Sequence, residues 1–292
     1  MSNYIGIDIG GTNIRVGAID ENSNLICLYK ESTFKNIINV EELYEKIVNL
    51  IKKIPNYRTA KSIGIGAPGY IDVEAGKIKT ATNLKMIADF PLKERLEKDF
   101  GKNVYLDNDA RVATLGEAIA GAGKGKKIVC YVTISTGLGG GVVLENRIYH
   151  GSTNLGGYFC RLILDGEQTS EALISGTGLI KQAKEKINPN IQSAGELFEL
   201  ARTGNTLAKE IIEKFKRNLV VLLLNISYTI NPDIIVLGGG VLKSKEYFLE
   251  DVVKEFKLKA KDTAKNTIIE TALLEEPGVI GAALLAKVKE EK

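Results

Sequence analysis

The stretch YIGIDIGGTNIRVGAID, Tyr4 to Asp20, enters a glycine pair from one apolar run and leaves it as another, with Asp8 at the mouth of the turn. A second stretch, TISTGLGGGVVL, repeats the arrangement: a strand pattern from Ile128 to Ser135, a glycine loop with a hydroxyl at Thr136, and a strand again. The two share little identity, so the repeat is architectural rather than textual. Glycine accepts φ > 0 and close backbone approach. Successive N–H groups in such a turn form an anion-binding nest suited to a phosphate chain. A tight hairpin that needs glycine only for geometry explains one such loop; two matched loops favour the phosphate reading. Gly10, Gly11, Thr12 and Asn13 on one side, and Thr136, Gly137 and Gly139 on the other, are the expected phosphate contacts. Asp8 is placed to hold Mg²⁺ through water, because that ion prefers oxygen ligands and keeps several waters. Neither loop is a G-x-x-x-x-G-K-[ST] motif or a dinucleotide fingerprint.

Alternating strands and helices surround these loops. Strands are expected at Tyr4–Ile9, Ile14–Ile19, Leu25–Thr33, Ser62–Ala67, Val104–Leu106, Ile128–Ser135, Val142–Leu144, Asp233–Gly240 (running into its glycines) and Thr267–Ala272. Helical spacing marks Val40–Lys53, Leu92–Phe100, Arg111–Ala122, a long region from Ser170 to about Tyr228, Tyr247–Lys257 and Gly278–Lys289. Two lobes follow, 1–119 and 120–277, with the closing helix in 278–292 returning to the first. A third glycine turn, Gly238–Gly240, ends an apolar strand where an adenine or ribose would lie against backbone.

VYLDNDARVA places Asp107, Asn108 and Asp109 between a strand and a helix. A helix N-cap accounts for one of them. Phosphoryl transfer to a sugar hydroxyl needs a carboxylate base beside a group that fixes the sugar, which suits Asp109 and Asn108. The single histidine, His150, precludes a two-His metal site and reads as structural or as the rim of a sugar site. The chain has 292 residues, 39 Lys and Arg against 36 Asp and Glu, and 3 cysteines. That near-balance argues against a nucleic-acid partner held by a basic face. The three unpaired cysteines, with no apolar run of about 20 residues and no leader before Tyr4, fit a reducing cytoplasm and no membrane partner. Cys160 reads as a small buried apolar residue.

The order DIGGT, GAPG, NL, DNDA, STGLGGG, HG, SG, GGG and GVIGAALLA, nearly end to end, resembles the ROK family of sugar kinases and sugar-responsive repressors. The resemblance implies an α/β, two-lobed actin/hexokinase-like (ribonuclease H-like) ATPase fold with a central cleft. It also implies ATP and Mg²⁺, a small sugar substrate and a homodimer. On it, Asp109 matches the catalytic base and Asn108 a sugar contact. Pro68, Gly69, Thr82 and Asn83 fall in sugar-lining segments, and Glu171 matches a glutamate that holds the sugar near its anomeric end. His150 and Tyr158 complete that site, while Asp8–Thr12 and Thr136–Gly141 match the phosphate motifs and Gly238–Gly240 the adenosine motif.

Four positions depart from the family pattern. Tyr158 stands where a sugar-binding glutamate is usual, Arg161 where a zinc histidine is usual, and the family's cysteine cluster is absent, so no structural Zn²⁺ is expected. Arg111 replaces the Asn that commonly follows NDA, and Ser135 replaces a loop Gly. The expected activity is ATP-dependent phosphorylation of the 6-hydroxyl of a hexose or N-acylhexosamine. VYLDND and HGS point to N-acetylmannosamine, with glucose, fructose and a β-glucoside as alternatives. A repressor would carry a helix-turn-helix domain before the first strand, where only Met1–Asn3 stand. A sugar-binding pseudokinase would explain Tyr158 and Arg161, but Asp8, Asp109 and both loops are intact.

Overall fold

The computed structural model describes residues 3–34, 39–81 and 84–291. Thr82 and Asn83 lie outside them. The chain forms two compact units: Met1–Gly125 with Val142–Gly156 and Leu273–Lys292, and Lys126–Gly141 with Gly157–Ala272. The chain thus passes between units four times, once inside the glycine-rich strand at Gly141.

In the first unit, β1 (Tyr4–Ile9), β2 (Asn13–Ile19) and β3 (Leu25–Ser32) form an antiparallel meander. β4 (Ser62–Ala67) pairs parallel with β1, and β7 (Asn103–Asn108) pairs parallel with β4. β5 (Tyr70–Asp72) and β6 (Lys77–Thr80) make a separate hairpin between them. The order is β3-β2-β1-β4-β7. Helix α1 (Val40–Lys53) turns Leu43, Tyr44, Ile47, Leu50 and Ile51 inward, and Asn39 caps it by accepting from the Glu42 N–H. Asn at that position satisfies one of the orphan donors of the first turn. α2 (Leu92–Phe100) ends on Gly101, and α3 (Asp109–Ile119) starts directly from β7.

The second sheet has the same plan. β8 (Ile128–Ile134), β9 (Leu138–Leu144) and β10 (Arg147–Ile148) lie in the order β10-β9-β8-β13-β14, with β13 (Ile234–Gly238) and β14 (Ile268–Thr271) added in parallel. The end of β9 and β10 fall in Val142–Gly156 and so cluster with the first unit. The remaining hairpin, β11 (Ile163–Asp165) with β12 (Gln168–Thr169), precedes the helices. These are α4 (Ser170–Ile174), α5 (Gly176–Lys186), α6 (Ala194–Arg202), α7 (Thr206–Thr229) and α8 (Leu249–Lys259).

Several of these elements differ from the sequence reading, which anticipates none of β5, β6, β10, β11 and β12. The long helical region breaks at Ser175 as well as around Pro189 and Gly204, because Ser175 takes an extended conformation and caps α5 by accepting from the Gly178 N–H. β9 begins inside the glycines, at Leu138, since the neighbouring strand gives LGGG a ladder partner that alternation alone does not reveal. The segment Gly240–Tyr247 is a 3-10 helix leading into α8.

The closing helix, α9 (Pro277–Glu290), packs against β1, β4 and α3. Its residues 279–286 are all buried, so no polar face survives in the middle of the helix. The approach is backbone to backbone: a Cβ at Gly64 of β4 would stand 1.7 Å from the Ala282 carbonyl oxygen, and one at Gly281 would stand 1.7 Å from that of Val112. No helix among the described residues is long and apolar enough to cross a membrane.

Candidate active site

At the C-terminal ends of its parallel strands the first unit gathers its carboxylates. Register pairs Asp8 with Gly66, and Gly66 with Asp107, so Asp8 and Asp107 sit two strands apart, about 10 Å by strand spacing. Asp8 Oδ2 accepts from Arg15 Nη1 at 3.1 Å, and Arg15 Nε lies 2.9 Å from Glu276 Oε2 at the start of α9. Burial raises the Asp8 carboxyl, and Arg15 pulls it back.

Asp109 opens α3, and its Oδ1 accepts from the Ala110 N–H at 2.8 Å. Burial, and after it the negative charge of Asp8, push its carboxyl up to about 7. A carboxylate poised near neutral pH is what a general base requires. Asn108 is held at both ends of its amide. Oδ1 caps α3 by accepting from Ala110 and Arg111 N–H at 3.1 and 3.3 Å, and Nδ2 donates to the Gly69 carbonyl at 3.1 Å. The Asn108 side chain also hydrogen-bonds the Asp109 carboxyl, which offsets part of the rise, and Gly69 is tied to the same turn.

Asp107 is fully buried between two partners. Arg111 Nη1 donates to its Oδ1 at 3.2 Å, and His150 Nε2 donates to its Oδ2 at 2.6 Å. The Asn108 N–H also donates to Oδ1, at 2.7 Å, and Arg111 Nη2 donates to the Asn154 carbonyl. His150 therefore does structural work, and Arg111, at 2% exposure, fastens the 150–154 segment to the Asp107–Asp109 turn. Replacing one partner of a buried ion pair strands the other. Arg111→Ala is expected to cost roughly 2–3 kcal/mol, less than a full pair because His150 still serves Asp107. A urea titration of both proteins checks this, with the same slope and a lower midpoint as the anticipated outcome.

The first glycine loop closes with the Gly10 N–H donating to the Asn13 carbonyl at 2.9 Å. Thr33 braces it, donating its hydroxyl to the Gly10 carbonyl at 2.6 Å and its N–H to the Thr12 carbonyl at 2.8 Å. The Gly11 and Thr12 N–H groups donate to no atom among the described residues. Thr12 is exposed, Gly11 half-buried. They are free to meet an anion.

The second unit builds its own loop. The Ser135 N–H donates to the Gly137 carbonyl at 2.9 Å, and the Thr136 and Gly137 N–H groups donate to no atom among the described residues. Gly139 continues β9. The start of α5 holds the loop from behind, with the Gly176 N–H on the Ser135 carbonyl at 2.7 Å and the Thr177 N–H on the Thr136 carbonyl at 3.0 Å. Register also brings Gly238 beside Thr133. A Cβ at Gly239 would lie 2.4 Å from the Ile134 carbonyl oxygen, and one at Gly240 would lie 3.5 Å from Ser135 Oγ. The second and third glycine turns thus lie side by side, with Gly239 and Gly240 exposed. Glu171 belongs to this group: the Leu138 N–H donates to its Oε2 at 3.1 Å. Tyr158 leads into a short 3-10 helix, Phe159–Arg161. Burial pushes the Cys160 thiol up to about 11, with Glu171 adding to the effect, so it is a thiol and not a thiolate at neutral pH. Among the described residues no group of three or more His, Cys, Asp and Glu side chains is placed to hold a metal ion.

Sequence reading missed Arg15, Thr33, Ser175 and the part played by Asp107. Arg15 was accessible in principle, since strand alternation on a hairpin places it opposite Asp8. Thr33 contacts the loop from a strand end twenty-three residues away, and no local pattern marks that.

A glucokinase from Halalkalibacterium halodurans is 29% identical, with 98% of this chain and 96% of that protein aligned. An N-acetyl-D-glucosamine kinase from Photobacterium profundum is 28% identical over 97% and 98%. The crystal structure of a ROK family glucokinase from Streptomyces griseus in complex with glucose and AMPPNP superposes with a TM-score of 0.80. It is 26% identical and covers 98% of this chain and 100% of that one. The fold is therefore the α/β actin/hexokinase-like fold of these kinases. With the ROK family matched over residues 4–289, the chain belongs to that family.

Proposed function

We propose that this protein is an ATP-dependent sugar kinase that phosphorylates the 6-hydroxyl of a hexose or N-acylhexosamine. The observation that carries the reading is Asp109, whose carboxyl is pushed up to about 7 at the head of α3. It shares its unit with Asp8 and a loop that offers free N–H groups. Asp109 accepts the hydroxyl proton as the sugar oxygen forms a bond to the γ-phosphorus and the bond to the leaving ADP oxygen breaks. Asn108, Pro68, Gly69, His150, Tyr158 and Glu171 are assigned to the sugar side, as are Thr82 and Asn83. Gly10–Asn13 and Thr136–Gly139 are assigned to the phosphates, and Gly238–Gly240 to the adenosine.

The residues present fit a magnesium ion at Asp8, a carboxylate with one oxygen engaged by Arg15 and a raised proton affinity that a cation would relieve. Bound there with the nucleotide, the ion would neutralise phosphate charge. Arg15 holds the Asp8 carboxylate in place, and the free loop N–H groups receive negative charge as it builds on the phosphate.

Among sugars, N-acetylmannosamine is favoured by VYLDND and HGS, and glucose is favoured by the glucokinases among the relatives. A panel of glucose, fructose, a β-glucoside, N-acetylglucosamine and N-acetylmannosamine, with ATP consumption as readout, discriminates them. Turnover on one or two of these is the expected result. Silence on all of them would defeat the kinase reading.

A further inference from the structure

We propose that Glu171 is a positioning residue for the second glycine loop, and that its carboxylate sets how tightly that loop takes a polyphosphate. The proposal rests on the kinase reading above and assigns Glu171 a task beyond the sugar contact suggested by resemblance. Three observations meet at this residue. The Leu138 N–H donates to Glu171 Oε2 at 3.1 Å. A Cβ at Gly137 would stand 2.9 Å from the same oxygen, so the carboxylate lies against the loop backbone. The loop's other fastenings come from the same stretch of chain, the Gly176 and Thr177 N–H groups on the Ser135 and Thr136 carbonyls. Residues 171–177 therefore shape the loop.

This arrangement has an electrostatic consequence. Three successive N–H groups, on Thr136, Gly137 and Leu138, follow one another through the turn, and such a run is an anion nest. Glu171 already fills the Leu138 end with negative charge, leaving Thr136 and Gly137 for a ligand. A full negative charge a few ångströms from an incoming phosphate opposes it even at a high effective dielectric. Glu171 thus holds the loop in shape at the expense of affinity. A neutral side chain of the same size that still accepts from Leu138 would keep the shape and relieve the repulsion.

Glu171→Gln is that side chain. Its affinity for ATP and for inorganic tripolyphosphate, measured calorimetrically without sugar, is expected to rise about tenfold at low ionic strength, equivalent to roughly 1.4 kcal/mol. The gain should shrink as salt is added, because screening weakens the repulsion being removed. Circular dichroism on both proteins establishes that the fold is kept. Affinity for both probes equal to or weaker than wild type would overturn the proposal, whether or not the sugar KM changes. Wild-type protein that binds neither ATP nor tripolyphosphate would overturn it together with the nucleotide reading, so the two failures are distinguishable.

Discussion

Asp109→Asn is expected to lower kcat by roughly 10²–10⁴-fold while leaving nucleotide affinity within a few-fold of wild type. The amide keeps the hydrogen bond from Ala110, so the head of α3 is preserved, but it cannot take a proton. In the wild-type protein the same carboxyl is expected to give the rate its pH dependence. Below about pH 7 the base is protonated and kcat/KM should fall tenfold per unit; above it, the profile should level. The variant should lack that limb. Activity close to wild type in the variant would remove Asp109 from the chemistry.

The same substitution should have the opposite effect on stability. A raised carboxyl binds its proton more tightly in the folded chain than at its ordinary value of 3.8. The stability tied to that proton is complete below the ordinary value and is lost as pH rises through about 7. Above neutral pH the wild type therefore carries an unfavourable ionised carboxylate that the amide removes. Because Asp109 is partly exposed, the gain at pH 8 should be about 1–2 kcal/mol rather than the full value of the shift. At pH 4 it should nearly vanish. Thermal melts at the two pH values test this, and an equal or lower Tm at pH 8 would contradict the burial assigned to Asp109.

The second large effect concerns the fold. Gly64→Ala adds one methyl group, whose carbon would lie 1.7 Å from the Ala282 carbonyl oxygen and 2.6 Å from its carbon. Neither atom belongs to a flexible side chain, so α9 must move off β4. Overpacking ordinarily costs about 1–3 kcal/mol, but displacing helix backbone from a sheet lies beyond that range. A loss of about 4 kcal/mol or more is expected, visible as insoluble protein or a collapsed urea midpoint. Gly101→Ala is the control: its Cβ would meet nothing within 4 Å, and only the positive φ of 63° resists it. That change should cost about 1 kcal/mol. Similar losses at both positions would mean that α9 does not lie as closely on the sheet as the backbone places it.

Much of this fold was legible in the residues. Alternation and the glycine turns located β1, β2, β4, β8 and β13, and Leu43, Ile47 and Ile51 marked α1 through helical spacing. A helix N-cap somewhere in DND was legible too, because N-caps and turn glycines act over three or four residues; that Asn108 is the cap was not. The limits of that legibility lie at β9 and at Ser175. Whether LGGG is loop or strand depends on a neighbouring strand, and whether Ser175 breaks a helix depends on what its carbonyl and its neighbours' N–H groups find elsewhere.

From its sequence alone the chain sets its strand–turn–strand units and the residue types capable of phosphoryl transfer, because each follows from backbone preference and local hydrogen bonding. Tertiary structure decides the rest. Only packing sets Asp109 partly out of water near the charge of Asp8, brings Arg15 onto Asp8, and lays Glu171 against a loop thirty-three residues away. Proton affinity and loop charge depend on which groups are brought out of water together, and that is a property of the fold rather than of any stretch of chain.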